Sequence, residues 1–321
     1  MSDPAAYPLV TVITPAYNAE AYLRETMECV QAQTWPNLVH LVIENASTDA
    51  TASIIAEFEN ARVPVKVVRH EQLLPQVENW NSAFAHLPEG TEWFRLLCAD
   101  DTMTPDAIEK MMQVAQLDDQ IGLVACKVNY GGDLETYQWP DGLAVMEGKE
   151  AIRRFFLNQG HFRAPHVLVN VKAIPEDGVY FDSSVNAFDT DSVLRTLTKW
   201  RFGFVHEYIA NTRVHEDTVT SRFVAPKRLH LLDWYHYLLR YAAVAFPEDD
   251  GRTILQHYKR HYLRRLIALR REDENGKIWE EHMTRLGRLD ARPTPLDFID
   301  AMADRLLIAV GMRPKWYAYP W

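Results

Sequence analysis

The order of apolar segments predicts an α/β fold: a Rossmann-like, mostly parallel sheet flanked by helices, with a helical C-terminal extension. Three observations carry this. Short β-branched apolar runs recur from residue 9 to about 209, each leaving room for a crossover helix before the next. Beyond residue 226 only helix-length patterns remain. Between them, residues 93–102 (WFRLLCADDT) form an apolar run that ends in two adjacent acids, Asp100 and Asp101. A strand covered on both faces wants such a run. The acids then fall just past its carboxyl end, the edge where open α/β sheets bind ligands.

Taken in order, 9–14 (LVTVIT) is the first strand, ended by Pro15 and a loop through Tyr17 and Asn18. Leu23, Met27 and Val30 give 19–33 a helical face, and Trp35-Pro36-Asn37 breaks it. Strand 38–44 (LVHLVIE) leads into the polar loop 45–49, whose capping residues start a helix to 58. Strand 65–69 and a helix over 78–85 come next, then the strand before Asp100. A helix over 105–116 and a strand over 121–128 complete the first run. The pattern weakens over 132–161, apart from a helix over 148–159. Strand 166–171, helix 188–199, strand 202–209 and a polar loop over 213–220 follow. Helices over 229–246, 253–269, 277–289 and 295–310 make up the extension, which ends in an aromatic tail, 315–321. The domain boundary is expected near Ala225, giving units 1–225 and 226–321.

Composition narrows the class. The chain has 321 residues and a net charge of −10, against a dedicated nucleic-acid binder. Its three cysteines show no CxxC spacing, which disfavours a zinc site or disulfide framework and fits a reducing cytoplasm. The first residues carry no signal-peptide pattern, and no apolar run is long enough to span a membrane. There is no Gly-rich dinucleotide fingerprint after the first strand and no Walker A sequence.

Paired carboxylates at a strand end are costly unless a positive group joins them. A hard divalent cation, which leaves coordination sites for phosphates, is the usual answer. The plainer alternative is a solvated turn, or a cap for the helix starting near Thr104-Pro105.

Four motifs settle the choice. VITPAYNAEAYL (12–23), ENASTDAT (44–51), LLCADDTMTPD (96–106) and FDTDSVLR (188–195) stand in the order and spacing of the family 2 glycosyltransferases, which the chain resembles over about 8–225. RVHEDTVT (213–220) is similar to that family's terminal segment. The resemblance implies the GT-A fold and inverting transfer from a nucleotide-diphosphate sugar, a UDP-sugar favoured, to a glycan or lipid-linked acceptor. A surface-polysaccharide context is implied with it. A divalent cation, Mn²⁺ or Mg²⁺, would sit on Asp101, with His215 completing the site. Asp100, Pro15, Tyr17, Glu44 and Asn45 would bind the nucleotide. Asp189 would be the catalytic base, with Asp191 the alternative. Cys98 stands where the family often has Asp, and Asn45 where it commonly has Asp.

A general base is needed because a hydroxyl is a weak nucleophile until a carboxylate takes its proton. Two other readings stay open: a degenerate, non-catalytic transferase serving as a binding subunit, and a sugar-phosphate nucleotidyltransferase. The latter wants a Gly-rich basic loop that PAYNAEAY is not. The basic amphipathic segment 253–271 either lies on an anionic membrane as a peripheral contact or packs on the chain itself or in a homodimer.

Overall fold

The structure, a computed structural model, describes residues 7–216, 224–247, 250–273 and 275–313. The expectations for 217–220 and for the tail 315–321 lie outside the described residues. Chain contacts divide the protein into two compact units. Described residues up to 151, with 159–184 and 188–214, form the first. Residues 152–158, 185–187 and those from 215 onward form the second.

In the first unit, β1 (Leu9–Ala16), α1 (Leu23–Gln31), β2 (Leu38–Glu44), α2 (Thr51–Ala56), β3 (Val65–Arg69), α3 (Gln76–Ser82) and β4 (Thr91–Leu96) alternate as expected. Their strands lie side by side, all parallel, in the order β3-β2-β1-β4. The chain continues through β5 (Thr102–Met103), α4 (Ala107–Ala115), β6 (Ile121–Tyr130), β7 (Asp133–Leu134), β8 (Val145–Met146), α5 (Gly148–Phe156), β9 (Leu168–Asn170), α6 (Phe188–Leu197) and β10 (Arg201–Thr212).

Here the structure departs from a simple βαβ series. The 166–171 run yields only β9, which inserts antiparallel between β4 and β6. The short pairings of β5, β7 and β8 have no apolar run behind them and are absent from the sequence reading. Because β9 opposes both neighbours, β6 and the parallel β10 point the same way as β1. The carboxyl ends of β1, β2, β4, β6 and β10 therefore share one edge.

Helical spacing fixes what covers the sheet. Leu23, Met27 and Val30 are buried on α1, and Ile54 and Ile55 on α2. Leu23, Met27, Ile54 and Ile55 pack with Val42, while Ile108, Met111 and Met112 of α4 pack with Val124 and Val205. Elsewhere an aromatic cluster of Trp80, Phe84, Phe94, Tyr180, Phe181 and Phe188 interlocks mostly edge to face, with ring centroids 5.0–5.9 Å apart. Such pairs each add about 0.5–1.5 kcal/mol beyond burial. They seat Phe188 and with it the first turn of α6.

The second unit contains α7 (Leu229–Ala245), α8 (Asp250–Glu272), α9 (Lys277–Arg288) and α10 (Pro295–Ala309). Tyr258, Tyr262, Leu263 and Leu266 of α8 are fully buried. The Tyr258 hydroxyl donates to Leu231 O at 2.9 Å, and Tyr262 Oη lies 2.7 Å from His282 Nδ1. The apolar face of the 253–271 helix is thus spent on its own unit. Thr294 caps α10 in a capping box with Asp297, and Pro295 follows at the first helical position.

Glycine is required at 148, where α5 begins. A Cβ there would lie 2.0 Å from Trp200 O and 2.2 Å from Leu197 O, both rigid backbone. Gly148→Ala is expected to lower the unfolding free energy by about 2 kcal/mol. Urea unfolding should show an earlier midpoint at unchanged slope.

Candidate functional site

At the shared edge, the loops after β1 and β2 are stapled together. Asn18 N–H donates to Ser47 Oγ at 3.1 Å, and Thr48 N–H to Asn18 Oδ1 at 2.9 Å. Ala19 N–H donates to Thr51 Oγ1 at 2.7 Å, Glu20 N–H to Asp49 Oδ2 at 3.1 Å, and Ala50 N–H to Glu20 Oε2 at 2.9 Å. The STDAT segment is therefore largely a scaffold for the PAYNAE loop.

Of the expected nucleotide residues, Tyr17 stands out at the tip, 46% exposed. Pro15, Glu44 and Asn45 are buried. Glu44 Oε1 accepts from Ser47 N–H at 2.6 Å. The Asn45 amide clasps the Leu74 peptide from both sides, accepting from its N–H at 2.9 Å and donating to its carbonyl at 3.0 Å. Asn81 makes the same two-way clasp with Phe181, at 2.8 and 2.9 Å.

The acid pair follows β4. Thr26 Oγ1 of α1 lies 3.0 Å from Ala99 O and 2.9 Å from Asp101 O, fixing the turn. The two acids then face differently. Asp101 is 5% exposed; its Oδ1 accepts from Arg213 N–H at 3.1 Å, and its Oδ2 lies 3.4 Å from His166 Nε2. Asp100 is half-buried and lines a cavity of about 260 Å³ with Thr102, Asn129, Asn211 and Arg213. Asn129 Oδ1 is buried there without a hydrogen-bond partner among the described residues.

Burial and the neighbouring Asp100 push the Asp101 carboxyl up to about 7. Burial, then Asp101, Asp100 and Asp189, hold the Cys98 thiol well above its ordinary range, so it stays protonated. The donor atoms of Cys98, Asp100 and Asp101 all lie within 4.8 Å of one another. Two adjacent carboxylates fit a hard divalent cation, and a protonated thiol does not compete as its ligand. His215 opens the second unit and is not one of these three donors.

Two residues here escaped the sequence reading. Arg95 sits inside the run read as apolar, yet it is fully buried. Its guanidinium lies 2.7 Å from Met111 Sδ and 3.5 Å from His166 Nδ1, with Nε unpartnered. An arginine only donates, so His166 Nδ1 accepts and Nε2 carries the proton. That proton faces Thr212 Oγ1, at 2.6 Å, and Asp101. Burial, with Arg95 and Arg163, keeps His166 neutral. The only signal available was a lone Arg in an apolar run.

Asp189 begins α6, its Oδ1 accepting from Thr190 N–H at 2.7 Å. With Ser192 it lines a narrow, mainly apolar cleft beside Trp80, Phe94 and Tyr180. Burial raises its carboxyl, partly offset by hydrogen bonds and Arg163. Its charge reaches the Cys98 thiol. Asp191, two residues on, is fully buried. Arg195 of α6 donates to Tyr180 O.

The family profile described as "Glycosyl transferase family 2" matches residues 11–175, just over half of the chain. The chain belongs to that family. An uncharacterized glycosyltransferase of Haemophilus influenzae is 32% identical over 114 residues, 36% of this chain and 35% of its own length. The putative teichuronic acid biosynthesis glycosyltransferase TuaG of Bacillus subtilis is 31% identical over 106 residues, 33% of this chain and 41% of its own. These matches span well under two thirds of the relatives.

Among solved structures, S. aureus TarS in complex with UDP-GlcNAc superposes with a TM-score of 0.64 at 17% identity, covering 89% of this chain and 82% of that one. The mannosyltransferase PcManGT of Pyrobaculum calidifontis, in complex with GDP-Man and Mn²⁺, gives 0.56 at 16%, covering 98% and 83%. The fold is thus the GT-A fold with C-terminal helices. Among the described residues no helix is long and apolar enough to cross a membrane.

The raised Asp101 carboxyl sets a pH dependence. With its folded pKa above the unfolded value of about 4, the group favours the folded chain most when protonated. Metal-free stability is expected to fall as pH rises from about 4 through about 7. Thermal unfolding across that range should show the decline, and Mn²⁺ added at pH 8 should reverse it.

Proposed function

We propose that the chain transfers a glycosyl group from a nucleoside-diphosphate sugar to a hydroxyl of a glycan or lipid-linked acceptor, with inversion. The observation that supports this most is the acid pair after β4, where donor atoms of Cys98, Asp100 and Asp101 lie within 4.8 Å of one another and the charge of Asp189 reaches Cys98. Tyr17 offers an exposed ring for the base or ribose, on a loop held by Ser47, Thr48, Asp49 and Thr51, with Pro15, Glu44 and Asn45 as the further nucleotide-site residues. A UDP-sugar is the favoured donor, in keeping with the ligand named for TarS.

Asp100 and Asp101 would hold Mn²⁺ or Mg²⁺, which would supply positive charge to offset that of a departing diphosphate. The neutral His166 and the Arg213 peptide N–H fix Asp101 from behind. Asp189 takes the acceptor proton as the hydroxyl oxygen bonds to the anomeric carbon. The bond from that carbon to the phosphate oxygen breaks on the opposite side, and the nucleoside diphosphate leaves with the electron pair. A carboxyl raised by burial suits a general base near neutrality. The relatives named for teichuronic acid and minor teichoic acid biosynthesis support a surface-polymer acceptor. The three free cysteines fit a cytoplasmic setting.

Thermal unfolding in UDP, GDP, dTDP and CMP, with and without Mn²⁺ or Mg²⁺, tests the donor half. A metal-dependent rise with UDP, lost in Asp100→Ala and Asp101→Ala, is expected. No rise with any nucleotide would sink the reading in favour of a non-catalytic subunit. The base is tested separately. Asp189→Asn should keep the UDP-induced rise while transfer, followed as UDP release, drops about 10²–10⁴-fold.

A further inference from the structure

Helix α10 is amphipathic the wrong way round. Asp297, Asp300 and Asp304 occupy one side and reach into α8. There Asp297 pairs with Lys259 at 2.6 Å, Asp300 with Arg260 at 2.7 Å, and Asp304 with Arg264 at 2.7 Å. The opposite side is aliphatic and bare. Leu296 is 74% exposed, Ile299 64%, Met302 40%, Leu306 67% and Val310 67%. Spacings of three and four residues put all five on one stripe, and Met312 (73% exposed) extends it past the C-terminus of the helix.

We propose that this stripe is where two copies of the chain meet, α10 packing antiparallel on α10. Three features choose a second copy over a lipid surface. First, the stripe is nearly self-complementary. It reads large, large, Met302-Ala303, large, large in either direction, so a twofold axis near Ala303 matches each end to the other. Second, the side chains together expose on the order of 600 Å², the upper limit for a patch on a monomer and near the roughly 800 Å² each partner gives a standard interface.

Third, the charges are wrong for a bilayer. An interfacial helix presents Lys and Arg beside its apolar face. Here the helix's acids are turned inward, where they pair with Lys259, Arg260 and Arg264 of α8. The net charge of −10 also opposes an anionic membrane.

The test is the mass of the full chain in solution, by sedimentation and light scattering from micromolar to about 100 µM. Twice the 37.1 kDa chain mass is expected at the upper end. Leu306→Glu, at a position too exposed to support the core, should weaken association more than about tenfold while leaving the melting temperature unchanged. Ile299→Lys serves as an independent second variant, should the first fail to fold. A wild-type chain that stays monomeric throughout, or a dimer indifferent to both variants, overturns the proposal. So does a monomer that floats with vesicles of phosphatidylcholine and phosphatidylglycerol in a Leu306-dependent way. None of these outcomes depends on nucleotide binding or transfer.

Discussion

Two adjacent carboxylates at the end of a central strand are the constraint on which the first unit's polar architecture depends. Negative charge at a partly desolvated edge must be met by donors or by a cation. The chain answers asymmetrically. Asp101 receives a peptide N–H from Arg213 and faces the protonated nitrogen of His166. Asp100 stays half-buried at a cavity. Burial and Asp100 outweigh these donors and keep the Asp101 carboxyl pushed up to about 7. A site that leaves one increment of positive charge unmet is suited to a ligand that brings it.

The same economy explains why Arg95 is buried. A guanidinium in a sheet core is costly, and its contacts here are a thioether and an imidazole, not an ion pair. Burial raises the Asp101 carboxyl and the Cys126 thiol and lowers His166; the field of Arg95 opposes the first two shifts and adds to the third. Arg95, His166 and Asp101 thus act as one electrostatic unit. The imidazole stays neutral between them, its tautomer set by the arginine.

What the sequence disclosed follows the range of the interaction. The strand runs, the crossover helices and the four motifs are local patterns, and the alternating half of the sheet could be read directly. The motif residues were easier to find than their tasks. Asn45, placed among the nucleotide residues by its motif, has an amide that grips Leu74, 29 residues away. Ser47, Thr48 and Asp49, read as a polar loop of capping residues, also hold the neighbouring loop. His166 and Arg95 are separated by 71 residues. Nothing local marks either, because an arginine in an apolar run usually carries its charge outward to solvent. Strand β9 was found but not its direction, since pairing orientation is fixed by the whole sheet.

The second unit inverts the usual partition between charge and oil. In α8, periodicity correctly identified an apolar face, and Tyr258, Tyr262, Leu263 and Leu266 fill the unit's interior. The basic residues beside them suggested a headgroup-binding surface. Three of them, Lys259, Arg260 and Arg264, are half-buried and pair with Asp297, Asp300 and Asp304 of α10. Exposed ion pairs contribute little individually. A ladder of them along two helices still fixes register and rotation, because a turn of either helix would bury unpaired charge. With its acidic side committed in this way, α10 has no freedom to rotate its aliphatic side inward. The bare stripe is a consequence of the ladder, and α10 can hide it only against something outside its own unit.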